Sequence, residues 1–291
     1  MTIPREEIRG LTLPPQFWAG LLLVAVAWPL NWLLSGLRTA YLFFPLWLGY
    51  ILTVDGLVQA RRGSSLLSRN WRAFIGLFLV SAPAWWLFEV LNWRAGNWQY
   101  LGREQVSDLF YAVNASISFS TVIPAVFGTA ELVGSFGWLQ RLGRGPVIRP
   151  TRRITAGFFL AGIIMLALLL AWPRYFFPFM WLSVYFLLAP LNVWLGHRSL
   201  AEYTAVGDWR PVVSLWLGSL ICGFFWEMWN TFSFPKWVYH VPYVDFLRIF
   251  EMPLLGYGGY LPFAMELFAL YHLVVGISGF GLNDYVQIGC D

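Results

Sequence analysis

Two glutamates lie inside long apolar segments, and each is followed by an asparagine three residues later. Glu89 precedes Asn92, and Glu227 precedes Asn230. A spacing of three residues places the carboxyl and the amide on one face of a helix. Because ionisable groups inside a membrane are costly and usually functional, each pair predicts a proton donor or a ligand-orienting pair. The alternative is that both pairs are hydrogen-bonding contacts that hold helices together.

A third acid, Glu266, follows Pro262 by one helical turn in another apolar segment. Burial without a counter-charge disfavours the ionised form of a carboxyl. We therefore expect Glu266 to stay protonated, which suits a general acid. A polar contact between helices is the alternative interpretation.

Aromatic residues surround the acid of the second pair. Trp226 and Trp229 flank Glu227, and Trp237 and Tyr239 follow it. Aromatic faces stabilise cations, so an acid among indoles could protonate an alkene and shelter the carbocation. Anchoring at the membrane interface would also explain these rings.

Three more candidates for substrate binding lie between the last two apolar segments or at the start of the last one. They are Glu251, Tyr257 and Tyr260. Glu251 could belong to a gate or to a site for the polar end of a ligand, together with Asp245 and Arg248. An interfacial cluster of ion pairs is the other interpretation of these charges.

The elements that carry these residues must be membrane helices. Of the 291 residues, 58% are hydrophobic and 12% are charged. Soluble domains have about 25% charged residues, so lipid must solvate much of this chain. A bilayer core needs about 20 apolar residues per helix. We predict an all-α, polytopic fold with eight spans, at approximately 17–36, 41–60, 72–92, 108–134, 154–172, 175–196, 211–230 and 255–280.

The basic residues predict the orientation. Thirteen arginines lie in the N-terminal segment and the even-numbered loops, Arg5, Arg9 and Arg144 among them, against six Arg or Lys in the odd-numbered loops. Cytoplasmic loops carry an excess of such residues. We therefore expect an integral protein of the cell's inner or plasma membrane with both termini in the cytoplasm.

The sequence contains no phosphate-binding loop, dinucleotide fingerprint, nucleophile elbow or zinc motif. Its two cysteines, Cys222 and Cys290, form no metal or disulfide pattern. We expect no cofactor, no metal site and no nucleic-acid partner. The expected partners are the bilayer and a membrane lipid or hydrophobic small molecule.

Matching residues recur 138 or 139 positions apart. Asn70-Trp71-Arg72 recurs as Asp208-Trp209-Arg210, Glu89 and Asn92 recur as Glu227 and Asn230, and Trp98-x-Tyr100 recurs as Trp237-x-Tyr239. We infer two tandem four-helix repeats, 1–148 and 149–291, in parallel orientation and with a cavity between them. Glu266 matches Gly128, so this acid belongs to the second repeat alone. We therefore expect the paired acids to serve shared architecture and Glu266 to be the better candidate for chemistry.

The second half resembles the membrane lycopene-cyclase domain, the heterodimeric type of carotenoid β-cyclase and its fused relatives. The residues that carry the resemblance are Trp226-Glu227-x-x-Asn230, Trp237-x-Tyr239, and Gly259-x-x-Pro262 followed by Glu266. Their order matches over 211–270, with a weaker match over 72–131. The motif departs from the family pattern, because a single glutamate stands where the family has two. The resemblance implies proton-initiated cyclisation or isomerisation of a polyene or prenyl substrate, without a metal or redox turnover.

Two functions are compatible with these residues. The first is an intramembrane enzyme that uses Glu266 or Glu227 as a general acid on an isoprenoid-like or carotenoid-like lipid. The second is a lipid or solute transporter, or a non-catalytic scaffold, in which the same carboxyls couple protons or pack helices. Parallel repeats are common in transporters, whose central helices are often discontinuous. We expect continuous helices here, which counts against transport.

Overall fold

The computed structural model describes residues 12–142, 145–279 and 284–289. Arg5, Arg9, Arg144 and Cys290, which entered the predictions above, lie outside them. The described chain is mostly helical. Its α-helices are α1 (Pro15–Leu33), α2 (Arg38–Arg62), α3 (Leu66–Arg69), α4 (Trp71–Ala95), α5 (Asp108–Phe119), α6 (Val122–Gly134), α7 (Gly137–Gln140), α8 (Arg152–Ala171), α9 (Pro173–Phe176), α10 (Phe179–Leu195), α11 (Leu200–Thr204), α12 (Arg210–Asn230) and α13 (Tyr260–Ser278). The strands are β1 (Trp98–Leu101), β2 (Lys236–Tyr239), β3 (Arg248–Ile249) and β4 (Met252–Pro253).

Seven helical segments of the described chain are long and apolar enough to cross a membrane. They are Pro15–Leu33, Arg38–Arg62, Trp71–Ala95, Asp108–Gly134, Arg152–Ala171, Arg210–Asn230 and Leu254–Ser278. These helices make the chain an integral membrane protein, as its composition predicts. The sixth predicted span, 175–196, corresponds to α10, whose 17 residues are apolar but shorter than a full span.

Two of these segments are interrupted. The fourth predicted span is divided into α5 and α6 at residues 120–121, and the last begins as a 3-10 helix, Leu254–Gly259, before α13. The buried Ser81 hydroxyl of α4 donates to the Phe119 carbonyl (2.6 Å) and accepts from the Ile123 amide (3.0 Å). It thereby satisfies backbone groups at the break, which lipid could not do. Residues 120–121 keep right-handed helical dihedrals, and each segment is still one helical stretch long enough to span. The interruptions are therefore local departures from regular α-helix, and they weaken the argument against transport.

The interruptions have the same spacing as the sequence matches. The helices that follow the two interruptions, α6 and α13, begin at Val122 and Tyr260, which are 138 residues apart. The starts of α4 and α12 also correspond. Asn70 Oδ1 accepts from the amides of Arg72 and Ala73, both at 3.1 Å, and Asp208 Oδ1 accepts from the Arg210 amide at 3.0 Å. Asn70 is the N-cap of α4, whereas Asp208 lies one residue before the N-cap of α12 and accepts from the first amide of that helix.

Residues 1–148 and residues 149–291, the two parts of the chain, meet along α6 and α12. A Cβ added to Gly218 of α12 would lie 2.7 Å from the Ala130 amide nitrogen of α6, so only glycine allows this close approach. Aromatic rings pack at the same junction. The ring of Trp47 on α2 lies 4.9 Å from that of Trp226, and the ring of Trp181 on α10 lies 5.3 Å from that of Phe88.

Candidate functional site

Strands β1 and β2 pair with each other and join the two parts of the chain. The pairing is antiparallel, with Trp98 opposite Tyr239 and Tyr100 opposite Trp237. The two Trp-x-Tyr sequences, which lie 139 residues apart, therefore form one two-stranded sheet. This contact places Tyr100 and Tyr239 near the carboxyls of α4 and α12.

The asparagine of each Glu-x-x-Asn pair fixes the strand that follows its helix. Asn92 Nδ2 donates to the Trp98 carbonyl at 2.8 Å, and Asn92 Oδ1 accepts from the amides of Asn97 and Trp98. Asn230 Nδ2 donates to the Trp237 carbonyl at 2.7 Å, and its Oδ1 accepts from the Trp237 amide at 3.0 Å. Both asparagines are buried. Their hydrogen bonds fix the position of each strand relative to the end of the helix that precedes it.

Glu89 is surrounded by hydrogen-bond donors. Its Oε1 accepts from the Trp85 indole (2.9 Å), the Trp98 indole (3.2 Å) and the Tyr100 hydroxyl (2.5 Å). All three donors come from α4 and β1, the same part of the chain as Glu89 itself. These hydrogen bonds hold the Glu89 carboxyl against β1.

Glu227 has a different environment. Its Oε1 accepts from the hydroxyls of Tyr239 (2.7 Å) and Tyr260 (2.9 Å). Its Oε2 is buried and has no hydrogen-bond partner among the described residues. No cation of the described residues forms an ion pair with it. One oxygen of this carboxyl is therefore held by two hydroxyls, and the other is buried without a hydrogen-bond partner.

The tyrosines on Glu227 are positioned by their surroundings. A Cβ on Gly223, one turn before Glu227, would lie 2.5 Å from the Tyr260 ring, so the glycine makes room for that ring. The Tyr260 ring also stacks on Trp226 at 6.0 Å. Burial, and then the neighbouring Glu227, raise the pKa of Tyr239 well above its usual range. This phenol therefore remains a hydrogen-bond donor at neutral pH.

A cavity of about 460 Å³ adjoins Glu227. It lies between α4, α5, α10, α12, α13 and the β1–β2 sheet, and its wall is dominated by aromatic side chains. Among the described residues that line it, Glu227 is the sole carboxylate. Its aromatic residues are Phe43, Trp85, Trp98, Tyr100, Phe110, Tyr111, Phe119, Phe177, Trp181, Trp226, Trp237, Tyr239, Tyr260 and Phe263.

The structure brings some of the predicted site residues into this cavity and leaves others outside it. Those that line it are Trp226, Glu227, Trp237, Tyr239 and Tyr260. Those that are not part of its lining are Glu89, Asn92, Trp229, Asn230, Glu251, Tyr257 and Glu266.

The residues outside the lining have other contacts. Trp229 packs against Trp47 at 5.1 Å and is buried. Tyr257 donates its hydroxyl to the Ile249 carbonyl at 3.2 Å. Glu251 pairs with Lys236 at 2.5 Å and lies 3.9 Å from Arg248, which corresponds to the interfacial ion-pair cluster that was the alternative interpretation.

Glu266 is fully buried, and neither of its carboxyl oxygens has a hydrogen-bond partner among the described residues. It does not line the cavity. The sequence favoured Glu266 over the paired acids as the candidate for chemistry. The cavity, however, does not adjoin Glu266. Between the two, Glu227 has the geometry of a reactive group.

Several cavity residues were not predicted as site residues. Trp98 and Tyr100 appeared in the sequence only as members of a matching pair, Trp181 recurs from Trp47 in the same way, and Arg103 and Lys236 are two of the six cations counted in the odd-numbered loops. The recurrence of Trp-x-Tyr was the one available signal for Trp98 and Tyr100. Tyr239 was predicted from the same motif, so its counterpart could have been included.

No protein-family model, curated protein or solved structure gives a significant match to this chain.

Proposed function

We propose that this chain is an intramembrane enzyme that cyclises or isomerises an isoprenoid-like lipid, with Glu227 as the general acid. The observation that carries the proposal is the unpartnered, buried Oε2 of Glu227 beside an aromatic cavity. Of the three acids that the sequence singled out, this one combines an open hydrogen-bonding position with space for a substrate.

The surroundings of Glu227 suit an acid that is neutral before it reacts. A carboxylate is poorly solvated in a buried site without a paired cation, so the neutral form is favoured. The hydroxyls of Tyr239 and Tyr260 occupy Oε1, which leaves the acidic proton on Oε2. After proton transfer, the same two hydrogen bonds stabilise the carboxylate, because bonds to charged acceptors are stronger than neutral ones.

The reaction we propose conserves mass. The Oε2 proton adds to one alkene carbon as the π electron pair forms the new C–H bond, and a tertiary cation is left on the neighbouring carbon. In a cyclisation, a second alkene attacks this cation. Loss of an adjacent proton to Glu227 then forms the product alkene and restores the acid. The faces of Trp98, Trp226 and Trp237 would stabilise the cation, and the apolar wall excludes water that would quench it.

A tandem duplication is part of this proposal. The Glu–Tyr hydrogen bonds, the two asparagines and the helix interruptions occur at matching positions in the two halves. These correspondences support a common origin of residues 1–148 and 149–291. The repeats would then have diverged at Glu227, the acid that adjoins the cavity.

The test is a comparison of lipids. Lipids from an isoprenoid-producing host with and without the gene are separated and compared by mass. We expect a new isomer of unchanged mass, which disappears with Glu227→Gln and persists with the matched variant Glu266→Gln at equal protein levels. An unaltered lipid profile, or an isomer that persists with Glu227→Gln, would contradict the proposal.

Transport is a second candidate, and the interruptions at 120–121 and 258–259 favour it. Discontinuous helices at matching positions of two repeats are typical of transporter binding sites. In this case Glu227 would carry a coupled proton. Purified protein in vesicles would then move lipid or solute in response to a pH gradient, without any change in the chemical composition of that compound.

A further inference from the structure

Three charged side chains line the cavity among the described residues. They are Glu227, Arg103 and Lys236. The two cations have carboxylate partners, Asp108 and Glu251, but neither partner lines the cavity. The ligand space is therefore bordered by two positive charges and one acid.

The cations lie at one end of the β1–β2 sheet and the acid lies at the other. Lys236 is opposite Leu101, two residues before Arg103, whereas Tyr239, the partner of Glu227, is opposite Trp98. From Lys236 to Tyr239 is three residues of strand, or about 10 Å. The cavity thus has two cations near one end of the sheet and one acid in its wall, together with indole and phenol rings.

The ion pairs leave both cations able to bind an anion. The Asp108 side chain is 98% exposed, so solvent screens its attraction for Arg103. The Arg103 guanidinium is held by the Val106 carbonyl at 3.0 Å and by the Tyr111 ring at 4.4 Å. Lys236 Nζ donates to Glu251 at 2.5 Å and to the Thr231 carbonyl at 3.3 Å. An ammonium has three donors and a guanidinium has five, so each side chain keeps donors for a ligand.

We propose that the cavity binds an anionic amphiphile, with a phosphate monoester head group between Arg103 and Lys236 and an unsaturated chain that extends along the aromatic wall to Glu227. A phosphate monoester carries a charge of about −1.5 to −2 at neutral pH, which matches two cations. The apolar wall matches the chain. The assignment of Glu227 to the reacting end rests on the function proposed above, whereas the binding of the head group does not.

The experiment measures binding to the full chain in nanodiscs of neutral phosphatidylcholine. Quenching of the cavity tryptophans reports the affinity for three probes: farnesyl phosphate, farnesol and inorganic phosphate. We expect farnesyl phosphate to bind at least about tenfold more tightly than either other probe, since one charge-assisted hydrogen bond contributes about that factor.

Variants assign the preference to the two cations. Arg103→Gln and Lys236→Gln should each weaken binding of farnesyl phosphate by about tenfold and leave farnesol unchanged. The control is Arg174→Gln, because Arg174 lies outside the cavity lining and contacts the Tyr243 ring. Lys236→Arg keeps the charge and should retain the preference, which guards against a misfolded Lys236→Gln.

Each alternative outcome has a definite meaning. Equal affinity for farnesol and farnesyl phosphate, or no binding of either, would overturn this proposal. If inorganic phosphate bound as tightly as farnesyl phosphate, the site would hold a free anion and the assignment of an amphiphile would be wrong. Glu227→Gln should leave phosphate-dependent binding intact. A preference that persists while lipid isomerisation fails to depend on Glu227 would reject the proposed reaction and leave this inference standing.

Discussion

Glu89 and Glu227 have the same local framework but differ in the environment of the carboxyl group. In each case an asparagine three residues later fixes a Trp-x-Tyr strand, and the tyrosine of that strand donates to Oε1. Glu89 then receives two indole donors from its own part of the chain. Glu227 instead receives the Tyr260 hydroxyl from α13. The second oxygen of each carboxyl has no hydrogen-bond partner among the described residues, and of the two acids it is Glu227 that lines the cavity.

The comparison distinguishes what the Glu-x-x-Asn motif does in both places from what the position of Glu227 beside the cavity adds. The Glu-x-x-Asn pair and the strand tyrosine organise a helix end in both halves, so the motif alone is architectural. Reactivity requires, in addition, an open carboxyl oxygen and a space for a ligand. Only Glu227, of the two, lines the cavity in the described part of the chain.

The first prediction tests that difference on activity and has the largest expected effect. Glu227→Gln should reduce formation of the isomeric lipid by at least about 100-fold, because general acids contribute about 10²–10⁴ to rates. Glu89→Gln should change it by less than about threefold, since Glu89 does not line the cavity and an amide oxygen can still accept from two of its three donors. The measurement is product per unit of membrane-inserted protein. Equal losses in the two variants would show that both carboxyls act structurally.

The second prediction concerns stability. Asn92→Ala removes hydrogen bonds to the Trp98 carbonyl and to the Asn97 and Trp98 amides, whereas Asn230→Ala removes two bonds to Trp237. A buried polar group left without a partner costs about 1–3 kcal/mol. We expect losses of roughly 2–4 kcal/mol in the free energy of unfolding, with the larger loss for Asn92→Ala. Denaturant unfolding in detergent measures both, and a smaller loss for Asn92→Ala would contradict the count of bonds.

The third prediction compares the two strand tyrosines. Tyr239→Phe leaves Glu227 with one donor, Tyr260, while Tyr100→Phe leaves Glu89 with two indoles. A hydrogen bond to a charged group contributes about 1.5–3 kcal/mol, so Tyr239→Phe should lower the rate of product formation by at least about tenfold.

Tyr100→Phe is the control for this experiment and should change the rate by less than about twofold. Both variants keep the ring and differ from the natural chain by one hydroxyl. An unchanged rate with Tyr239→Phe would mean that its hydroxyl does not stabilise the carboxylate formed on proton transfer.

The sequence predicted the parts of this site that depend on local spacing. Three-residue spacing in an apolar segment placed Glu227 and Asn230 on one helix face, and its recurrence at Glu89 and Asn92 showed that the unit is repeated. The pairing of β1 with β2 brings together residues 135 to 141 positions apart, and no local pattern encodes such a contact. Arg103 and Lys236 appeared only as loop cations for the same reason.

The preference for Glu266 shows a second limit. A residue that occurs in one repeat alone was expected to carry chemistry, but uniqueness in sequence does not reveal whether a side chain faces a cavity. Both acids are fully buried, and Glu227 lines the cavity whereas Glu266 does not. This difference arises from the packing of α13 against α10 and α12, which no local pattern reveals. The spans were easier to predict, because composition and length determine them locally.

The last prediction has the smallest effect and uses the starts of the two glutamate-bearing helices. Asn70 caps α4, and Asp208 accepts from the first amide of α12, but only Asp208 titrates. Hydrogen bonds from the Arg210 guanidinium hold the pKa of Asp208 below its usual range. The folded state therefore binds this proton less readily than the unfolded state, whose aspartates have a pKa of about 3.9. The stabilisation is present above that pH and is lost as the pH falls through the folded pKa.

The Asp208 side chain is 22% exposed and its partner Arg210 is 30% exposed, so solvent screens the pair and we expect less than about 1 kcal/mol from this effect. Unfolding midpoints in detergent at pH 6 and pH 3 would measure it. The natural chain should lose more of its stability between these values than Asp208→Asn, whose side chain matches that of Asn70 and does not titrate. An identical pH dependence of the two proteins would mean that ionisation of Asp208 adds nothing to the start of α12. The starts of the two glutamate-bearing helices would then be equally insensitive to pH.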